Sequence, residues 1–280
     1  MKAYTLGLYE KSMPANLSWR EKLEAAKSAG FDFLEMSVDE TDEKLGRLEM
    51  TSKERLELTE LMKKIGLPIG TMCLSGHRKY PLGSPDPAVR KRSLEIMDKA
   101  IELASDLGIR IIQLAGYDVY YEESDEETKQ YFEENLKKAA DMAACAGVIL
   151  GFETMETEFM NTVEKSMKYV RQISSVYLNV YPDIGNITNA ANTYGTDVLE
   201  DLKLGKGRLA AMHLKETIPG IFREVPYGEG HVDFEKAIAM AWELGVRKYV
   251  TEFWYTGSPS WKEDLAAANL KMSRILMKQQ

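Results

Sequence analysis

VILGFETM (148–155), LNVYPDIGN (178–186), LAAMHLKE (209–216) and KYVTEFW (248–254) decide the fold of this chain. Each is a short apolar, strand-like run that carries one metal-competent side chain toward its C-terminal end: Glu153, Asp183, His213 and Glu252. No single run is diagnostic. Together they are, because a barrel of parallel strands gathers its C-terminal strand ends at one mouth, where one cation can reach all four groups.

Four earlier runs have the same character: TLGLY (5–9), FDFLEMSV (31–38), PIGTMCL (68–74) and IRIIQLAG (109–116). Amphipathic stretches separate all eight, in the rhythm of parallel βα units. Thr51 and Glu54 have capping-box spacing ahead of Leu56, Leu58, Leu61 and Ile65, and Ser124 and Glu127 have it in the acidic stretch near residue 125. Gly30, Gly66, Gly108, Gly147 and Gly245 each stand between a helical pattern and a strand, where a helix C-cap belongs. Eight strands without a Gly/Ser linker or a composition break predict a single α/β domain over 1–280, a (β/α)8 TIM barrel. A doubly wound open sheet is the alternative, but no strand here runs at once into a Gly-rich phosphate loop.

Composition narrows the class. With 280 residues and 44% hydrophobic content the chain can bury a large core. A net charge of −8 argues against a nucleic-acid partner, while local cationic loops can still hold a small anion. No apolar run approaches the roughly twenty residues that cross a bilayer, and MKAYTLGLYEKS has no signal-peptide core, so the expectation is a cytoplasmic enzyme without a membrane partner. The two cysteines, Cys73 and Cys145, lie in or beside apolar runs without zinc-ligand spacing and read as buried thiols.

Each ligand candidate also has a plain structural role. Glu153 and Glu252 could pair with a lysine of a neighbouring strand, Asp183 could cap a turn or helix, and His213 could be a hydrogen-bonded core histidine. Four such coincidences on consecutive strands favour one site. Carboxylates with one imidazole suit Mn²⁺, Mg²⁺, Co²⁺ or Zn²⁺. For an anionic substrate group the sequence offers His77, Arg78 and Lys79, then Ser84 and Pro85 at an expected helix start, with Lys215 and Arg223 beyond strand seven. Glu35 reads either as a hydrogen-bond partner behind the site or as a buried ion-pair member. Tyr117, Tyr120 and Tyr121 read as loop packing that could wall a pocket, and His231 as structural.

GFDFLEMSVDETD (30–42), CLSGHRKYPLGS (73–84), IQLAGYDVYY (112–121), YPDIGN (181–186), HLKETIPGIF (213–222) and VPYGEGHVDF (225–234) closely resemble the L-ribulose-5-phosphate 3-epimerase (L-xylulose-5-phosphate 3-epimerase) family, among the barrels similar to xylose isomerase. The resemblance implies that Glu153, Asp183, His213 and Glu252 hold one divalent metal ion. It also implies that Glu153 and Glu252 act as base and acid on C3 of a ketopentose phosphate, in cytoplasmic pentose or ascorbate use. Enzymes of this kind are often homo-oligomers, and no exposed stripe in the sequence marks an interface. Similar free-ketose epimerases carry a substrate-contacting histidine where this chain has Asn186 and an arginine near the position of Pro219. A free-ketose epimerase or aldose-ketose isomerase on the same scaffold is the alternative activity. A barrel endonuclease with a histidine-rich zinc cluster fits poorly with only three histidines, and a silent sugar-binding protein would lack metal-dependent proton exchange.

Overall fold

The structure is a computed structural model and describes residues 2–280. Its eight strands are β1 (Thr5–Tyr9), β2 (Phe33–Val38), β3 (Ile69–Leu74), β4 (Ile111–Ala115), β5 (Ile149–Glu153), β6 (Leu178–Tyr181), β7 (Met212–Leu214) and β8 (Lys248–Thr251). All pair in parallel, in the order β6-β5-β4-β3-β2-β1-β8-β7. The two ends of this order meet through isolated bridges, Val180 with Leu209 and Asp183 with His213. Three amides span the seam: Ala210 N–H donates to Val180 O at 2.8 Å, Val180 N–H to Arg208 O at 2.8 Å, and His213 N–H to Pro182 O at 2.9 Å. The barrel is therefore closed, with its sparsest ladder between β6 and β7.

Around it run α1 (Trp19–Ser28), α2 (Asp42–Leu45), α3 (Ser52–Ile65), α4 (Pro87–Leu107), α5 (Glu126–Ala146), α6 (Val163–Ile173), α7 (Ile184–Tyr194), α8 (Val198–Leu204), α9 (Phe234–Glu243) and α10 (Trp261–Met277). Thr51 and Glu54 form the expected capping box on α3. On α5 the box is shifted by one residue: Asp125 and Thr128 make it, because Ser124 Oγ is engaged at 2.8 Å by the buried Asp118 carboxylate. Gly66, Gly108 and Gly147 are left-handed C-caps as expected, and Gly30 and Gly245 stand one position past theirs. Cys73 is buried, but Cys145 is exposed, which corrects its reading as a core thiol. It lies on the solvent face of the last turn of α5, while Ala139, Ala140 and Ala143 face inward. Among the described residues, no helix is long and apolar enough to cross a membrane.

Inside the barrel a small apolar cluster, including Tyr9, Phe33, Cys73, Ile111, Tyr181 and Val250, is distinct from the main core outside it. Phe33 can fill this space only because β1 and β3 present glycine to it. A Cβ on Gly7 or Gly70 would collide with the Phe33 ring.

A buried charge hub ties β1 to its neighbours. Glu10, 1% exposed, accepts from Lys22 Nζ and Lys44 Nζ at 2.7 Å each, from Arg47, and from the Ser37 amide at 2.8 Å. Burial alone would raise its carboxyl, but Arg47, Lys22 and Lys44 hold it far below the usual carboxylate range. Glu10→Gln leaves three cations around a neutral amide. We expect it to cost about 3–5 kcal/mol and to lower Tm by roughly 10 °C near pH 7. Because the folded-state pKa is depressed, this stabilisation is present above the ordinary glutamate pKa of about 4.3 and is lost as pH falls below it. The Tm gap between wild type and variant should narrow from there downward; a gap independent of pH to about pH 3 would exclude the ionic contribution.

Candidate functional site

The strand ends deliver the four side chains to one point by different local means. Glu153 is the last residue of β5, His213 the middle residue of β7, and Glu252 the first residue past β8. Asp183 lies two residues beyond β6 and is the N-cap of α7. Its Oδ1 accepts from the Asn186 amide at 2.8 Å, leaving Oδ2 for other use. The capping role and the ligand role thus belong to different oxygens of one carboxylate.

One potential ligand atom from each of Glu153, Asp183, His213 and Glu252 lies within 4.8 Å of all the others, and all four residues are buried. His213 Nδ1 is 2.9 Å from Glu252 Oε2, 3.4 Å from Glu153 Oε1 and 3.9 Å from Asp183 Oδ2. The 2.9 Å approach does not meet hydrogen-bond geometry, so His213 Nδ1 and Glu252 Oε2 are buried atoms without a hydrogen-bond partner, and Asp183 Oδ2 faces them with the Lys215 ammonium 2.9 Å away. Leaving such atoms unmatched is costly, and their convergence points to a common ligand.

The electrostatics agree. Burial pushes the Asp183 carboxyl up, against the pull of Lys215, whose Nζ is 2.9 Å away. At Glu252 burial also acts upward, yet Lys215 and His213 together hold the group below its ordinary value. Desolvation opposes charge on His213, but Glu35 and Glu252 outweigh it and raise the imidazole well above its usual range. The cluster demands positive charge. A divalent cation bound by these oxygens and one imidazole nitrogen meets that demand, and the donor set fits it.

Behind the quartet, Glu35 on β2 receives His213 Nε2 at 2.6 Å, Thr71 Oγ1 at 2.7 Å and the Tyr181 hydroxyl at 3.0 Å. Thr71 and Tyr181 escape sequence reading, since the contact joins positions as far apart as 35 and 181.

Above the quartet lies a cavity lined by Glu153 and Glu252 together with Arg78, Lys215, Arg223, Asn186 and Trp254, among others. Three of the expected substrate contacts are therefore at the mouth. Lys215 Nζ reaches Asp183 Oδ2 and lies 3.8 Å from Glu252 Oε2. Arg78 stacks 4.8 Å over the Tyr120 ring and stands 3.7 Å from Glu40, with its Nε unpartnered. Arg223 donates to Glu156 at 3.2 Å.

His77 and Ser84 are elsewhere, which corrects the expectation for both. His77 Nε2 is 3.1 Å from Ser93 O on α4, and burial lowers its pKa to about 4 against the opposing pull of that carbonyl. The helix begins at Pro87 rather than Ser84, and the Asp86 carboxylate caps it by accepting from Ala88 N–H at 2.7 Å. That oxygen occupies the position an anion would take. Tyr117 and Tyr120 pack as a tilted pair, 5.0 Å between centroids, and Tyr121 is exposed, consistent with loop packing. His231 pairs with Thr217 Oγ1 at 3.0 Å within its own loop. Ser75, Lys11 and Tyr9 also line the cavity; their only signal in the sequence is that each falls at or just beyond a strand's C-terminal end.

An eight-stranded parallel barrel with a buried Glu-Asp-His-Glu quartet at its C-terminal mouth defines a sugar isomerase type of barrel. The sequence matches the xylose isomerase-like TIM barrel family over residues 23–275. SgbU of Escherichia coli (strain K12) is 50% identical over 261 residues, covering 91% of this chain and 90% of that protein. The L-ribulose-5-phosphate 3-epimerase UlaE of Shigella boydii is 46% identical over 254 residues, covering 90% and 88%. The chain belongs to the L-ribulose-5-phosphate 3-epimerase family and is an isomerase of the epimerase type. Among solved structures, a D-psicose 3-epimerase crystallised in the presence of D-fructose superposes with a TM-score of 0.80 at 17% identity, over 97% of this chain and 99% of that one. An L-ribulose 3-epimerase does so with 0.79 at 19%, over 99% and 95%. At these identities the likeness concerns the fold.

Proposed function

We propose that this chain inverts C3 of a ketopentose phosphate, interconverting L-ribulose 5-phosphate and L-xylulose 5-phosphate in the cytoplasm. The observation that carries the reading is the pair Glu153 and Glu252, delivered from β5 and β8 to either side of the β6–β7 seam and converging on His213. The near-half identity to L-ribulose-5-phosphate 3-epimerases supports the substrate class.

Epimerisation removes the C3 proton beside the C2 carbonyl and returns one to the other face. A divalent cation, Mn²⁺, Mg²⁺, Co²⁺ or Zn²⁺, held by Glu153, Asp183, His213 and Glu252 would polarise the C2 carbonyl and stabilise the enediolate. Glu153 and Glu252 take and return the proton, each on its own face, and exchange roles with reaction direction. Lys215 balances the charge of Asp183 and Glu252 next to the reacting atoms. The closed barrel beneath the quartet, filled by Tyr9, Phe33 and Tyr181, excludes water from one side.

Arg78 holds the phosphate in this reading, supported by its position on the cavity wall and its unpartnered Nε. Arg78→Ala should raise KM for the phosphorylated ketose by about 10- to 100-fold, as expected for loss of a charge-assisted contact, and leave free L-ribulose little changed. Equal effects on both sugars would remove the phosphate role. The function as a whole is tested by incubating the enzyme with L-ribulose 5-phosphate and with free L-ribulose in D₂O. Deuterium at C3 of the phosphate, with far slower exchange in the free sugar, is the expected result. Exchange favouring the free sugar, or isomerisation to an aldose, would assign another activity.

A further inference from the structure

We propose that Glu35 is a positioning residue: it holds the His213 proton on Nε2 and thereby aims a bare Nδ1 at the cation. The inference rests on the metal reading above and concerns how this chain prepares its one nitrogen ligand.

Neutral imidazole carries one donor and one acceptor nitrogen, and only the acceptor can ligate a metal. Which nitrogen that is depends on the partner of the other. Glu35 has no exposed surface, and all three of its side-chain contacts come from groups able to donate: His213 Nε2 to Oε1, Thr71 Oγ1 and the Tyr181 hydroxyl to Oε2. An ionised carboxylate accepts and never donates. With both oxygens engaged in this way, Oε1 requires a proton on Nε2, so Nδ1 is the nitrogen that gives up its proton and offers its lone pair when a cation binds. That atom is the one that faces Glu153, Asp183 and Glu252 and has no hydrogen-bond partner.

Ring rotation is restrained as well. The Tyr181 ring packs edge-on against His213 at 4.8 Å between centroids and 61° between planes, while its hydroxyl reaches the same Glu35 that holds the imidazole. Glu35, Tyr181 and His213 thus form a closed triangle, and Thr71 secures Glu35 from the adjacent β3 strand. A carboxylate placed only to balance a core charge would meet a lysine or arginine. Glu35 makes no salt bridge within 4 Å to either, and among the described residues the basic side chain it contacts is the His213 imidazole.

The test uses the full-length protein, Mn²⁺ competition against a chelator, and ¹⁵N shifts of His213 in the Mg²⁺- or Zn²⁺-loaded state. Outer partners of metal-bound histidines typically contribute about 10- to 100-fold in affinity. Glu35→Gln keeps an acceptor but removes the charge and should weaken Mn²⁺ by about 10-fold; Glu35→Leu removes the acceptor and should weaken it by about 100-fold, with His213 appearing as mixed tautomers. Tyr181→Phe, which keeps the packing and loses the hydroxyl, should show a smaller weakening of the same sign and keeps the proposal testable if Glu35→Leu does not fold. Wild-type Mn²⁺ affinity in folded Glu35→Gln and Tyr181→Phe, with a proton still on Nε2, would overturn it. Failure of the wild-type protein itself to bind Mn²⁺ would instead overturn the metal reading, and this inference with it.

Discussion

Glu153→Gln and Glu252→Gln are each expected to lower net epimerisation by about 10²–10⁴-fold, the range for loss of a positioned acid or base. The more telling outcome is a split in proton exchange. A carboxylate held on one face of the sugar cannot reach a hydrogen on the other, so each glutamate can abstract from one epimer alone. In D₂O, with cation content verified, one variant should wash deuterium into C3 of L-ribulose 5-phosphate and the other into C3 of L-xylulose 5-phosphate. Exchange into both epimers by either single variant would replace the two-base scheme with one mobile base or a bound water.

The second large effect is at His213. His213→Asn should lower bound cation and activity together while leaving the fold intact, and its loss of affinity should exceed the about 10- to 100-fold typical of a partner behind a ligand. Stripping the wild-type enzyme with a chelator should abolish C3 exchange, and readdition of Mn²⁺, Mg²⁺, Co²⁺ or Zn²⁺ should show which ion restores it. Unchanged cation content in purified His213→Asn would return the residue to its alternative role as a core histidine. Full exchange in the stripped protein would remove the cation from the chemistry.

The barrel was legible because its signal is periodic and local. Each of the eight strands falls inside its expected run, from Thr5–Tyr9 to Lys248–Thr251. The ends were less legible: LNVYPDIGN contains a strand of only four residues because Pro182 has no amide to extend the ladder and Asp183 turns the chain into α7. The meeting of Glu153, Asp183, His213 and Glu252 could be anticipated, since parallel strands share one mouth. Details set by neighbours could not. Asp118, a buried carboxylate six residues earlier in the same loop, engages Ser124 and moves the α5 cap to Asp125. His77 follows β3 like a site residue but is drawn to a carbonyl of α4, and Asp86 fills the helix start that an anion would use. Glu35 was ambiguous for the same reason: its meaning lies in Tyr181 and His213, remote in sequence.

The seam between β6 and β7 joins two matters usually treated apart. Its thin ladder is bridged by Asp183 and His213, so the strands that close the barrel are those that present two of the four ligand candidates. A cation gripped by both would act as a rivet across the least-stitched line of the cylinder. Occupancy and mechanical integrity would then be a single property, and the catalyst's working lifetime would depend on how long it kept its ion.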